Sequence, residues 1–246
     1  MINLKEWRDL QDDITTDSLW ISSTSTKNRP MFIIPRRDFL PKNDSNFHGL
    51  FIPEIPYQFI RRFLPENGLI WDCFGGSGTT HRVAEYLNER CILTDLHPTQ
   101  DYIIKGDAVN YTLDEKADLV FCHPPYHDIV KYSDDPNDGS NQGSIDGFLD
   151  WMEKVAINIK NNTKAGAVVI LVIGNLYTDG EEKTLGVWAK DKFCKHGFKC
   201  KAHIIKDYGE TKGTEGKNYN LNYVRQLRGG YNNFYGDNIF ILKRQK

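Results

Sequence analysis

The sequence predicts a doubly wound α/β fold with a mostly parallel sheet and an antiparallel edge strand. Apolar strand-like segments alternate with helical segments from residue 69 onward, which is typical of a parallel sheet covered on both faces. A glycine-rich stretch follows the first of these strands, at the position where α/β folds bind ligands. The last two apolar segments, 198–207 and 238–244, have no clear helix between them, and this favours the antiparallel edge.

Hydrophobic periodicity places the individual elements. Apolar residues recur at helical spacing over 53–64, so the pattern predicts a helix there. Short apolar runs predict further strands at 69–74, 91–96, 102–108, 117–122 and 167–175. The intervening segments predicted to be helical are 79–90, 145–159 and 185–196.

Length and composition fit one globular domain with an extension. Of the 246 residues, 39% are hydrophobic and 26% are charged, so the chain can bury a core. Residues 1–47 are predicted to be an N-terminal extension, and 48–246 the main domain. The formal net charge of -2 argues against a nucleic-acid binder that relies on bulk positive charge, but it permits a local basic face.

Cysteine usage and hydropathy favour a cytoplasmic protein without a metal site. The five cysteines form no CxxC pair and show no zinc-like spacing with histidine, so reduced thiols are predicted. No apolar run reaches the ~18–20 residues that a membrane span needs. The N-terminal sequence MINLKEWRDLQDD is acidic and polar, unlike a signal peptide.

The stretch DCFGGSGTT (72–80) has the composition of a ligand-binding loop. Gly75, Gly76 and Gly78 allow the backbone to approach a ligand closely, because no Cβ intrudes. The spacing matches neither the dinucleotide motif GxGxxG nor the ATP loop GxxxxGK[ST], so neither kind of site is predicted. A purely structural glycine turn is the alternative for this stretch taken alone.

Acidic residues also end the next two predicted strands. Asp95 lies 23 residues after Asp72, where an acid can accept hydrogen bonds from ribose hydroxyls. Asp107 ends the third strand and can accept a hydrogen bond from an adenine amino group. A single acid is more often a cap or a turn former. Three acids at successive strand ends, beside a glycine loop, instead predict a nucleoside-binding site.

The stretch CHPPYHD (122–128) follows the predicted strand 117–122 directly. Its prolines fix the backbone and offer carbonyls without N–H donors, which suits a site that holds a planar amine. The Pro124 carbonyl can accept one amino hydrogen, and an unprotonated ring nitrogen of His123 can accept another. Tyr126 can stack on a base. The alternative is a rigid strand-to-loop turn with a packing tyrosine.

Together the two motifs resemble those of the DNA amino-methyltransferases, the N6-adenine and N4-cytosine family. The stretch 72–80 is similar to the family's DPFxGSGTT, and 123–126 is similar to its [DNS]PP[YF]. The resemblance covers 48–244, and the motif order is similar to the family's gamma arrangement. It implies a Rossmann-like fold, S-adenosyl-L-methionine as cofactor, and site-specific methylation of an exocyclic amine in DNA.

The resemblance also implies which residues form the site. Those implied to hold the cofactor are Asp72, Phe74, Gly75, Gly76, Ser77, Gly78, Thr79, Asp95 and Asp107. Those implied to be catalytic are His123, Pro124, Pro125 and Tyr126. His123 departs from the family's usual Asp, Asn or Ser. The target therefore stays open between adenine N6, slightly favoured on family frequency, and cytosine N4.

The resemblance implies direct methyl transfer without a covalent enzyme intermediate, so the enzyme acts by positioning and electrostatics. The base must be flipped out of the duplex to reach such a pocket. Only a neutral imidazole can accept a hydrogen bond. His123 therefore predicts that methyl transfer falls as the pH drops through its pKa, ~6.5 if unperturbed.

Two segments without clear periodicity are candidates for substrate contact. The acidic segment 127–144 is predicted to be a mobile loop near the substrate. The segment 206–237 mixes basic and aromatic residues, which suits phosphate contacts and stacking, with a polar surface loop as the alternative. The predicted DNA-contacting residues are Lys212, Lys217, Arg225, Arg228 and Tyr231.

Double-stranded DNA with a flipped base is the predicted partner. A homodimer or a partner subunit stays open, since the chain has little room for a separate recognition domain. One alternative function is amino-methylation of an RNA base, because RNA amino-methyltransferases share a similar loop and turn. Another is a non-catalytic subunit that binds cofactor or DNA within a larger modification complex, and a cognate restriction enzyme is left open.

Overall fold

The computed structural model describes residues 19–21, 52–127, 131–207 and 236–246. Helices cover both faces of a mostly parallel sheet, so the predicted fold class is confirmed. The strands are β1 (Leu19–Ile21), β2 (Leu69–Asp72), β3 (Arg90–Asp95), β4 (Ile104–Lys105), β5 (Ala117–Cys122), β6 (Thr163–Gly174), β7 (Leu176–Thr178), β8 (Glu181–Lys183), β9 (Phe198–Asp207) and β10 (Gly236–Arg244). The helices are α1 (Glu54–Phe63), α2 (Thr79–Tyr86), α3 (Ile145–Asn161) and α4 (Leu185–Lys195).

The main sheet has the strand order β1-β9-β10-β6-β5-β2-β3-β4. Strands β2 to β6 pair in parallel, and β10 is antiparallel to both of its neighbours. The antiparallel strand was expected at the edge, but β9 and then β1 lie outside it. Burial explains this position: residues 236–242 are continuously buried, as in an interior strand, whereas β9 exposes Lys199, Lys201 and His203.

Two apolar clusters lie on opposite faces of the sheet. Alternate side chains of β5 belong to different clusters, because successive residues of a strand point to opposite faces. Leu119 and Phe121 pack with residues of α1 and α2, and Val120 and Cys122 pack with residues of α3 and α4. The central strands therefore have both faces buried, and their carboxyl ends present the loops that carry both sequence motifs.

A small hairpin, β7–β8, was not expected from the sequence. Its two strands pair antiparallel around Asp179 and Gly180, whose φ angles of 55° and 76° are both positive. Asp-Gly is favoured in such turns because both central residues must adopt a left-handed conformation. Among the described residues, no helix has the length and apolar character needed to cross a membrane.

Candidate active site

The glycine-rich loop joins β2 to α2 and is organised around a buried carboxylate. Asp72 Oδ1 accepts a hydrogen bond from the Phe74 backbone N–H at 3.1 Å, and Oδ2 accepts one from the Thr80 hydroxyl at 2.5 Å. Gly76 and Gly78 have φ angles of 49° and 84°, which a residue with a Cβ adopts only at a cost. Burial raises the pKa of Asp72 to about 7, so this carboxyl binds a proton readily near neutral pH.

Asp95, at the end of the neighbouring strand β3, hydrogen-bonds to this loop. Asp95 Oδ2 accepts from the Gly76 N–H at 2.8 Å, and its Oδ1 accepts from the His97 N–H at 2.9 Å. Burial raises the pKa of Asp95 above its ordinary value. One strand farther out, Asp107 Oδ1 accepts from the Val109 N–H at 2.9 Å. Asp107 thus binds its own loop, Asp95 binds both its own loop and the glycine-rich loop, and the predicted contacts to ribose and adenine stay predictions.

The Pro-Pro turn leaves the end of β5, next to β2 in the sheet. Pro124 is buried, and His123 and Tyr126 are half-buried. The His123 Nε2 and the Tyr126 hydroxyl oxygen lie 2.8 Å apart. The Tyr126 ring crosses β6 at Gly174, where an added Cβ would come within 2.9 Å of a ring carbon. Glycine at this position therefore makes room for the tyrosine ring.

The loop and the turn line the same cavity of about 370 Å³ at the carboxyl ends of the strands. All four predicted catalytic residues line it, as do eight of the nine predicted cofactor residues, the exception being Gly78. The volume lies in the range of small-molecule sites, ~300–1,000 Å³. The two sequence motifs therefore form two walls of one cavity, and the roles predicted for their residues stay predictions.

A family model described as DNA methylase matches residues 5–105. This range includes the glycine-rich loop, Asp95 and the predicted N-terminal extension, and it ends before the Pro-Pro turn. The resemblance to the DNA amino-methyltransferases is confirmed. This match over part of the chain supports a methyltransferase with S-adenosyl-L-methionine as its cofactor.

Solved structures of methyltransferases are similar to this chain at low sequence identity. TrmN from Thermus thermophilus is similar with a TM-score of 0.50 and 14% identity, over 80% of this chain and 50% of TrmN. The chain thus spans about half the length of TrmN. A SAM-dependent methyltransferase from Archaeoglobus fulgidus matches with a TM-score of 0.47 and 13% identity, over 78% of this chain and 94% of its own. No curated protein sequence matches the chain.

The cavity walls fit a nucleoside that carries a cationic amino-acid arm. Asp95 and Asp107 supply acceptor oxygens for hydroxyl and amino donors. The rings of Phe74 and Trp151, with centroids 5.8 Å apart, supply an apolar wall. Asp72 lies in the same cavity, and a nearby cation would favour its ionised form. The residues present therefore suit S-adenosyl-L-methionine.

The described part of the acidic segment, residues 131–144, is a compact structure held by many internal hydrogen bonds. Asp138 accepts from the backbone N–H and hydroxyl of Ser140 and from the Ser133 hydroxyl. The Asn141 amide donates to two backbone carbonyls, and the Trp151 indole donates to a third, that of Asn137. The segment 137–139 also lines the cavity, and its predicted mobility and nearness to the substrate stay predictions.

Several cavity residues were missed in the sequence. The indole of Trp151 lines the cavity from α3, where its helical spacing indicated only a core residue. Thr80 and Asn137 also line it, and the threonine is the last residue of the motif 72–80, so its position was a usable signal. The predicted DNA-contacting residues Lys212, Lys217, Arg225, Arg228 and Tyr231 lie outside the described residues.

Proposed function

We propose that this chain is a methyltransferase that transfers a methyl group from S-adenosyl-L-methionine to an exocyclic amino group of a DNA base, with adenine N6 ahead of cytosine N4. One observation carries the proposal: the glycine-rich loop and the His-Pro-Pro-Tyr turn line one cavity. A cofactor site alone would serve many methyltransferases. The proline turn beside it adds the acceptors and the aromatic face that suit a planar amine.

The turn's residues would act on the amine by hydrogen bonding. The lone pair of a base amine is delocalised into the ring, so the amine is a poor nucleophile. Hydrogen bonds to the Pro124 carbonyl and to a neutral His123 ring would favour a tetrahedral nitrogen and localise its lone pair. S-adenosyl-L-methionine would supply the methyl group to this nitrogen and leave as the neutral thioether, and the nitrogen would give up one proton to solvent.

The electrostatics of His123 suit an acceptor. Burial lowers the pKa of this imidazole to about 4, against the opposing effect of Asp237. The ring is therefore neutral at physiological pH and retains a nitrogen lone pair. Stacking of the extruded base on Tyr126 would offset part of the flipping cost, because base–aromatic stacking contributes ~1–3 kcal/mol.

Transfer of a labelled methyl group tests the proposal. The purified chain is incubated with labelled cofactor and with either unmethylated duplex DNA or total RNA, and the methylated nucleosides are then identified. We expect N6-methyladenine or N4-methylcytosine from the DNA. His123→Leu should lower kcat by ~10²–10³-fold, as loss of one preorganised hydrogen-bonding group does. His196→Leu is the matched control, because His196 pairs with Glu153 at 2.8 Å and does not line the cavity.

A second candidate is an amino group of an RNA base. The hydrogen-bond acceptors and the aromatic face of the cavity suit the amine and the ring of a base. Both groups occur in DNA and in RNA. Methyl transfer to RNA but not to DNA would replace the first proposal by this one. Cofactor binding without transfer to either, retained when His123 is replaced by Asp, would instead support a non-catalytic subunit.

A further inference from the structure

A buried chain of polar side chains runs from the outer strands of the sheet to the Pro-Pro turn. Lys206 of β9 and Asp237 of β10 are direct cross-strand partners, with Nζ 2.7 Å from Oδ2. Their side chains are only 8% and 6% exposed. The other carboxylate oxygen, Oδ1, accepts a hydrogen bond from the Tyr126 hydroxyl at 2.8 Å. The Tyr126 oxygen in turn lies 2.8 Å from Nε2 of His123.

The charges of Lys206 and Asp237 determine which group donates in each hydrogen bond of this series. The lysine ammonium favours the ionised form of Asp237, and an ionised carboxylate can only accept. Tyr126 must therefore donate its single hydroxyl proton to Asp237. Its oxygen is then an acceptor toward His123, so Nε2 carries the ring proton. In the neutral imidazole this makes Nδ1 the nitrogen with the lone pair.

We propose that Asp237, held by Lys206, is a positioning residue that sets the tautomer of His123 through Tyr126, so that Nδ1 is the acceptor offered to the substrate amine. The last clause rests on the proposed function, whereas the tautomer does not. Without the carboxylate, the Tyr126 hydroxyl can donate to Nε2. The ring proton then resides on Nδ1, which becomes a donor and cannot accept from an amine.

The strand pairing around these hydrogen-bonded side chains supports the assigned tautomer. Asp237 is also the cross-strand partner of Gly174, the residue over which the Tyr126 ring lies. Asp237 of β10 therefore lies directly opposite the glycine that the Tyr126 ring covers, where its carboxylate can accept from the tyrosine hydroxyl. A buried ion pair has a desolvation cost that often offsets its Coulomb energy. Its place beside the catalytic turn is better explained by control of hydrogen-bond direction than by stability.

Nitrogen NMR of the histidine side chains tests the tautomer directly and needs no substrate. The His123 signals are assigned by their absence in His123→Asp. At pH 7.5 we expect the Nε2–H tautomer in the wild-type chain, and a substantial Nδ1–H population in Asp237→Leu and in Lys206→Met. The lysine variant provides a second test if Asp237→Leu does not fold, because a buried Asp237 without Lys206 can hold a proton and donate it. An unchanged tautomer in the folded variants would overturn the proposal.

Kinetics then link the tautomer to the reaction. Asp237→Leu should lower kcat about tenfold with little change in KM, as loss of one oriented hydrogen bond does. In a His123→Asp background the same change should lower kcat less than twofold, because a carboxylate accepts in either arrangement. An equal loss in both backgrounds would mean that Asp237 does not act through His123.

Asn238→Leu is the matched control for these variants. Asn238 is the next residue of β10 and is 3% exposed, and its amide bonds to the Ile173 carbonyl and the Asn175 side chain. It should lower the melting temperature without moving the His123 tautomer. Should no nucleic acid prove to be a substrate, the NMR result still decides the tautomer assignment by itself.

Discussion

The two walls of the cavity are built in different ways. The glycine-rich loop is organised mainly by residues closer in sequence: Asp72 binds its own loop, Asp95 on the adjacent strand binds Gly76, and the Phe121 carbonyl accepts from Cys73, 48 positions away. The Pro-Pro turn depends on distant residues, since the Tyr126 hydroxyl bonds to Asp237, 111 positions along the chain, and its ring lies over Gly174. We call the loop 72–80 the cofactor wall and the turn 123–126 the substrate wall, after their proposed roles. A local motif therefore specifies the cofactor wall, whereas the substrate wall also requires the antiparallel strand β10.

Substitution of Gly174 by alanine should give the largest effect if the substrate wall depends on distant strands. The new Cβ would come within 2.9 Å of the Tyr126 ring, which must move. Misplacement of a catalytic group by ~1 Å can cost about 10²-fold in rate, and we expect a fall in kcat of that order. Steady-state kinetics with the cofactor dissociation constant measured in parallel would check this.

Gly166→Ala provides the control within the same strand. Gly166 has a φ of 85°, but an added Cβ there meets no atom within 4 Å. It should lower stability by ~1–2 kcal/mol through backbone strain and leave kcat unchanged. A similar loss of kcat in both variants would show that strand β6 does not position the tyrosine specifically.

The cofactor wall should respond to pH through Asp72. Its raised pKa of about 7 means that the free protein holds a proton there below pH 7, and a cationic cofactor prefers the ionised form. Affinity should therefore rise as the pH increases, by about tenfold between pH 6 and 8. Calorimetric titration at several pH values measures this. Asp72→Asn should bind more weakly and without this slope, and an equal slope in that variant would assign the titration to another group.

Gly78→Ala should have a smaller effect on the same wall. Its φ of 84° makes a Cβ unfavourable by ~1–2 kcal/mol, and that Cβ would overlap the exposed Tyr102 side chain. Because Gly78 does not line the cavity, we expect lower thermal stability and less than a tenfold loss of cofactor affinity. Tyr102→Ala should recover the part of the loss that is due to overlap. Failure of this recovery would leave backbone strain as the whole cause.

This contrast also explains what the sequence could predict. Strand β5 and the loop after β2 were predicted closely, because their signals are short runs of apolar residues and glycine. The position of β10 inside the sheet was not predicted, because it depends on which distant strands pair with it. Asp237 and Gly174 carry no local signature of a site, and only the fold brings them to Tyr126.

The pH profile of methyl transfer should show the smallest change of all, because the imidazole of the Pro-Pro turn has a lowered pKa. With an ordinary pKa, the His123 ring would become protonated near pH ~6.5 and could no longer accept a hydrogen bond. Burial lowers its pKa to about 4. At saturating cofactor and substrate, the single-turnover rate should stay constant from pH 8 to about 5.5 and fall only as the pH approaches 4. His123→Asn should not show that fall at the same pH, since an amide does not titrate. A wild-type decline centred near 6.5 would mean that His123 is more hydrated than its packing indicates, and a decline shared with His123→Asn would assign it to a different group.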